Sequence, residues 1–141
     1  MTALTTSQAL RILEAALADA HAKGYKPMGI VVVDAAGQTQ ACVRDDGATP
    51  LRIDIARGKA CGAVGMGVSS RVLTERAKQL PAFFGAIAAT ASQPFIPQTG
   101  AVLIKNEAGE MLGAVGASGG TGDEDEEICI AGVQAAGLVA G

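Results

Sequence analysis

The run MGIVVVD, Met28 to Asp34, constrains this chain more than any other stretch. Its apolar residues follow one another with little polar interruption, and branched Val and Ile dominate. That pattern predicts a strand buried in the sheet. The turn Asp34–Gly37 then sends the chain back through QTQACVR, Gln38 to Arg44, so the run is one arm of a hairpin. A second hairpin is expected further on, with strands at about Ala101–Lys105 and Glu110–Ala117 and a turn at Asn106–Gly109. Two hairpins imply an antiparallel sheet. The intervening segments carry helical spacing, so the fold class is α+β, with helices packed on the sheet.

Thr5 and Gln8 match a capping box that opens the first helix, and Leu10, Leu13, Leu17 and Ala20 follow at helical spacing. Gly24 is the expected stop. Thr49-Pro50 reads as an N-cap followed by Pro in the first turn of a helix from Leu51 to about Val68. This helix is apolar on two sides, with Ile53, Ala56, Ala60 and Val64 on one and Leu51, Ile55, Gly62 and Met66 on the other. It is therefore expected between two layers. Gly58, Gly62 and Gly65 lie close together on the second side. Each costs about 1 kcal/mol of helix stability against Ala, so close approach of another backbone or a ligand is the expected return. Ser69–Leu80 reads as a polar helix stopped by Pro81, PAFFGAIAATAS as a second short helix, and Asp123 onward as a closing helix with an acidic first turn. The order of these elements fits one domain over 1–141.

Of the 141 residues, 49% are apolar and only 18% charged, which is more apolar surface than a small domain is expected to hide alone. A homo-oligomer is expected. The net charge of −3 and the 3% aromatic content, with no Trp, count against a nucleic-acid or anionic-membrane partner. Cys42, Cys61 and Cys129 lack zinc spacing and read as reduced, buried thiols. No signal peptide or spanning helix is evident, so a cytoplasmic location is expected.

Charge is concentrated in RDDGATPLRIDIARGKA, Arg44 to Ala60, where a strand meets the doubly apolar helix. Arg44 is a candidate anion clamp, with Asp45 or Asp46 to orient it. The plainer alternative is a capped loop with surface ion pairs; the placement favours a pocket. Lys59 falls on the glycine-bearing side of the helix. It either snorkels to solvent or sits in a pocket as a base or imine-forming amine. His21, the lone histidine, is either a packed residue at the edge of its helix or an axial ligand to haem iron. In the tail GASGGTGDEDEEICIAG, Ser118-Gly119-Gly120 suits an anion cradle, but the acids from Asp123 to Glu127 compete with an anion there. Their spacing is not that of an EF-hand, and no metal site is expected.

Taken together, IVVVDAAG (Ile30–Gly37), VRDDGA (Val43–Ala48), DIARGKA (Asp54–Ala60), LGAVGASGGTGDED (Leu112–Asp125) and the closing AGVQAAG resemble the GlcG/HbpS family, which includes the C-terminal domain of PduO-type proteins. The resemblance covers nearly the whole chain. It implies a profilin-like fold, a central antiparallel sheet of about five strands flanked by helices, and dimer-based homo-oligomers up to octamers. It also implies haem binding in some members and corrinoid or other catabolic roles in others. Relatives carry a Gly-Gly-x-Pro-Ile/Leu motif entering the second hairpin. Here the segment is QTGAVLIKN (Gln98–Asn106), with one glycine and no proline.

Three functions are therefore compared. A haem or tetrapyrrole binder would use His21 as iron ligand, the Gly58/Gly62/Met66 face as slot, and Arg44 or Lys59 for the propionates. A small cofactor-independent lyase or isomerase would hold a carboxylated intermediate with Arg44 and move protons with Lys59, Asp46 or Asp125, with Cys129 a weaker candidate. A non-catalytic accessory protein of a catabolic operon would use these charges for assembly only.

Overall fold

The two hairpins form and meet edge to edge. The computed structural model describes residues 3–141. Strands β1 (Gly29–Asp34) and β2 (Thr39–Arg44) make the first hairpin, and β3 (Ala101–Lys105) and β4 (Met111–Ser118) the second. β1 pairs antiparallel with β4, and a two-residue strand β5 (Val139–Ala140) adds to β3. The sheet order is β2-β1-β4-β3-β5. Helices α1 (Thr6–Ala22) and α5 (Gly122–Ala135) cover one face. Helix α2 (Leu51–Met66) covers the other, with α3 (Ser70–Gln79) and α4 (Pro81–Thr90) following it. This is the expected α+β, profilin-like arrangement.

β1 alternates between the two cores. Ile30 and Val32 join the α1/α5 core with Ile12, Ile104, Val115 and Ile128, while Val31 and Val33 join the α2 core with Ala56, Ala60 and Ala63. A strand buried on both faces is what its unbroken apolar run requires. α2 lies almost directly on the sheet, because Gly29 and Gly116 carry no side chain beneath it. A Cβ on Gly29 would stand 2.7 Å from the Arg52 carbonyl carbon, and one on Gly116 2.4 Å from the Ala56 carbonyl oxygen.

The capping box of α1 is present in full: Gln8 N–H donates to Thr5 Oγ1 and Thr5 N–H to Gln8 Oε1. α5 carries a second one, built from Thr121 and Glu124. Three expectations are corrected. Pro50, not Thr49, holds the N-cap position of α2, with φ −57° and ψ −37°. The proline ring fixes φ in the helical range, so helical geometry begins there, and Thr49 contributes only its carbonyl, to Arg52 N–H. That helix ends at Met66, before Gly67 at φ +72°, rather than near Val68. Finally, Cys42 is exposed whereas Cys61 and Cys129 are buried. Cys42 pairs with Val31 across the ladder but sits on the edge strand, and β2 alternates between covered and open positions. Among the described residues no helix is long and apolar enough to cross a membrane.

Candidate functional site

The sequence candidates separate into two sets. One is on the surface at the end of α1. His21 closes the last turn of that helix, and its Nε2 lies 2.7 Å from Asp45 Oδ2, with the imidazole 58% and the carboxylate 16% exposed. With the proton on Nε2, the imidazole donates to Asp45 and Nδ1 keeps its lone pair. A carboxylate holding one ring nitrogen fixes tautomer and orientation, as the outer partner of a metal-bound histidine does. Asp45 is itself positioned: its N–H donates to the Met28 carbonyl and its Oδ1 accepts from Asp46 N–H. Arg44, the preceding residue, is exposed and donates from Nη1 to the Ala48 carbonyl at 2.7 Å. Asp46 is exposed as well. These charges therefore stand on open surface rather than in the crevice that their sequence position suggests.

Around the same helix end, Lys23 bridges Asp19 and Glu127, and Tyr25 donates its hydroxyl to Glu127 in a short contact. That hydrogen bond, first among the causes, pushes the Tyr25 phenol up and holds the Glu127 carboxyl below its usual range. On α1 itself, Leu10, Leu17 and His21 fall on one stripe. Leu10 is 44% exposed and Leu17 half-buried, but the exposed Glu14 falls between them on the same stripe, so only Leu17 adjoins the imidazole as an apolar neighbour there.

The second set is buried. Lys59 and Asp125 are 4% and 2% exposed, and the ammonium donates to Asp125 Oδ2 at 3.0 Å and to the Ala117 carbonyl at 3.0 Å. Gly120 N–H donates to Asp125 Oδ1 at 2.9 Å. α2 and α5 lie on opposite faces of the sheet, so this pair joins the two layers past the ends of β3 and β4. Gly100 makes the passage possible: its φ is +140°, and a Cβ there would sit 2.6 Å from Lys59 Nζ. Burial pushes the Asp125 carboxyl above its ordinary value, outweighing the Lys59 charge and the Gly120 hydrogen bond. Nearby, Arg52 Nη1 donates to the buried Ser118 hydroxyl at 3.2 Å. The SGG segment is no open anion cradle, because Asp125 and Glu124 take the N–H groups of Gly120 and Thr121. Burial drives the Cys129 thiol far up, and Cys129 donates only to the Gly100 carbonyl.

Gly58 and Gly62 face the chain itself. A Cβ on Gly58 would meet Ile96 at 2.6 Å and one on Gly62 would meet Phe95 at 3.2 Å. The close approach that these glycines predict is made by the segment after α4. Met66 lines a cavity of about 230 Å³ with Cys61, Gly65, Ile87, Gln93 and Phe95. It lies on the α2 side, on the opposite face of the sheet from α1 and His21. The structure thus brings together His21 and Asp45, and separately Lys59 and Asp125, while Arg44, next to Asp45 in the chain, shares a ladder row with Gly29 and donates to Ala48. Arg44 is two strands from Ser118 along one ladder row, about 10 Å by strand spacing. Sequence reasoning missed Ser70, whose buried hydroxyl accepts from Ala101 N–H at 2.8 Å and ties α3 to β3; a lone Ser at a helix start gives no sign of a partner that is distant in sequence.

With this geometry in place, comparison with known proteins gives a consistent picture. The model of a family described as haem degrading protein HbpS-like matches residues 4–134. The chain is similar to a double mutant of Streptomyces reticuli HbpS, at 28% identity and a TM-score of 0.82, covering 95% of this chain and 87% of that one. It also shares the fold of PduOC, solved as a heme complex, at 23% identity and a TM-score of 0.86, covering 97% of each chain. Klebsiella pneumoniae ORFY shares it too, at 23% identity and a TM-score of 0.84, covering 97% of this chain and 93% of that one. No curated protein matches.

Proposed function

Since the chain belongs to the HbpS-like family, we propose that it is a cytoplasmic, homo-oligomeric haem-binding protein with His21 as the iron ligand. The observation that carries the proposal is the His21–Asp45 pair at 2.7 Å on open surface. An imidazole oriented by a carboxylate and left with one free nitrogen is the donor an iron porphyrin takes. Leu17, one turn before His21, offers apolar surface to the macrocycle, and the exposed Arg44 guanidinium, next to Asp45 in the chain and donating to the Ala48 carbonyl, is the candidate partner for a propionate carboxylate. When bound, haem would supply redox and oxygen chemistry; the chain's part is to hold the iron through His21 and anchor the propionates.

The alternative of a lyase or isomerase needs Arg44 and Lys59 around one substrate. Lys59 instead has Asp125 and a backbone carbonyl as partners and is nearly closed to solvent. Haemin titration followed at the Soret band tests the proposal. A saturable shift is expected, with affinity at least about tenfold weaker in His21→Ala and weakened to a lesser degree in Arg44→Ala. Absence of a saturable shift, or an unchanged titration in His21→Ala, would refute it.

A further inference from the structure

Both hairpins carry a bulge, and the two bulges lie at the same end of the sheet, where Asp34 pairs with Gly113. β1 pairs Val32 with Ala41 and Val33 with Thr39, so Gln40 is an extra residue in β2. β3 pairs Ile104 with Gly113 and Lys105 with Met111, so Leu112 is an extra residue in β4. A bulge leaves its extra residue outside the ladder and re-aims the side chain. Here both extra residues line one cavity of about 410 Å³, together with Leu4, Asp34, Ala35 and Met111. That volume is within the range of small-molecule sites. Asp45, which holds His21, is tied to Met28 at the other end of β1, so the length of that strand, about 17 Å by its rise, separates the two places.

We propose that this cavity binds a small protonated amine with an apolar body. Its lining holds no Lys, Arg or His, so nothing there would attract an anion. Its two long polar side chains are both short of donors. Asp34 Oδ1 accepts from the N–H groups of Ala36 and Gln38, at 2.9 and 3.0 Å, and so holds the hairpin turn; among the described residues nothing donates to Oδ2. Gln40 Nε2 donates to the Leu4 carbonyl at 3.1 Å, which fixes the orientation of the amide. Gln40 Oε1 is then the one buried side-chain nitrogen or oxygen among the described residues with no hydrogen-bond partner. An acceptor in that state has given up water and received nothing in return. An ammonium group carries three donors and a positive charge. One such group can therefore meet the Asp34 carboxylate and, after a small turn of the half-buried Gln40 side chain, its orphaned oxygen. The walls suit a carbon skeleton. Leu4 and Leu112 are 5% and 2% exposed and belong to the α1/α5 core, so that side is fixed. Met111 on the rim is half-buried and adaptable. A few polar groups set in an apolar hollow is the general make-up of a small-ligand site.

The site is separate from His21 and its test uses no haemin, so either reading can fail alone. The experiment is titration of the purified chain with 3-phenylpropylamine, followed by calorimetry and by the methyl resonances of Leu4, Met111 and Leu112. The alcohol and the carboxylate of the same skeleton are run beside it. Saturable binding of the amine is expected, about tenfold or more tighter than the alcohol, with no binding of the carboxylate. Asp34→Asn keeps the oxygen that holds the turn and removes the charge; it should weaken the amine by about tenfold or more and leave the alcohol unchanged. Gln40→Leu should weaken the amine to a lesser degree. Far-UV circular dichroism and melting of each variant check that the hairpin survives. Lack of saturation at millimolar amine overturns the proposal. So does equal affinity for amine and alcohol, an unchanged titration in a folded Asp34→Asn, or shifts confined to other methyl groups.

Discussion

The two faces of the sheet are closed in different ways. Toward α1 and α5 the core is filled by large side chains, among them Ile12, Ile30, Ile104, Val115, Ile128 and Val133. Toward α2 it is closed by backbone proximity, with alanines on the helix and glycines on the strands. The first kind of contact tolerates neither loss of volume nor a void. The second tolerates no gain of volume. α2, held so near the sheet, leaves α3 and α4 to stack beyond it, which is why the apolar surplus of the chain emerges on that side. The functional groups divide likewise. His21 stands at the open end of the side-chain-filled layer, while Lys59 crosses from the tight layer to Asp125 in the other.

Substitutions can break this contrast. The largest effect is expected from Gly116→Val, whose added carbons would overlap the Ala56 carbonyl oxygen, 2.4 Å from where a Cβ would stand. It should cost more than about 3 kcal/mol, while the opposite operation, Ile128→Ala on the other face, should cost about 2–5 kcal/mol through its cavity. Denaturant melts of both check this. Tolerance of Gly116→Val within about 1 kcal/mol would end the distinction between the faces.

Next comes the pair that joins the layers. Lys59→Met leaves Asp125 buried without its cation and should cost about 3–5 kcal/mol near neutral pH. The sign of its pH dependence follows from the raised carboxyl. A carboxyl whose folded pKa lies above its unfolded value favours the folded state while protonated. Its contribution is full below about pH 4 and is lost as pH rises through the folded value. Removing Lys59 raises that value further. The variant should therefore regain stability relative to wild type on acidification toward about pH 5. Melting temperatures at two pH values decide it, and a penalty equal at both would contradict the account.

The smallest effect sharpens the comparison from outside the core. Gly85→Ala has open space around it and should stabilise the single chain by up to about 1 kcal/mol through helix propensity. A urea melt measures it. A destabilisation there would mean that Gly85 is needed inside the chain.

Much of this fold follows from local pattern. The capping box at Thr5, the stop at Gly24, the β3 limits and the doubly buried β1 arise from period, turn chemistry and hydrogen bonds that close within a few residues. So does the expectation that Gly58 and Gly62 receive something close. What receives them, Ile96 and Phe95, arrives from more than thirty positions along the chain, and no local rule names it. β5 escaped notice because two residues carry no periodicity. The candidate site was legible as a set of residues but not as a grouping. His21 and Asp45 were each visible, yet their pairing depends on how α1 lies against the first hairpin.

The sequence by itself determined the elements, the antiparallel hairpins and the apolar excess, because these depend on spacing along the chain. Only the tertiary structure decided that β1 and β4 are neighbours, that Lys59 meets Asp125 over Gly100, and that α4 is left uncovered. Those outcomes depend on which distant surfaces fit at contact distance, and a fit of that kind is a property of the packed layers rather than of any one segment.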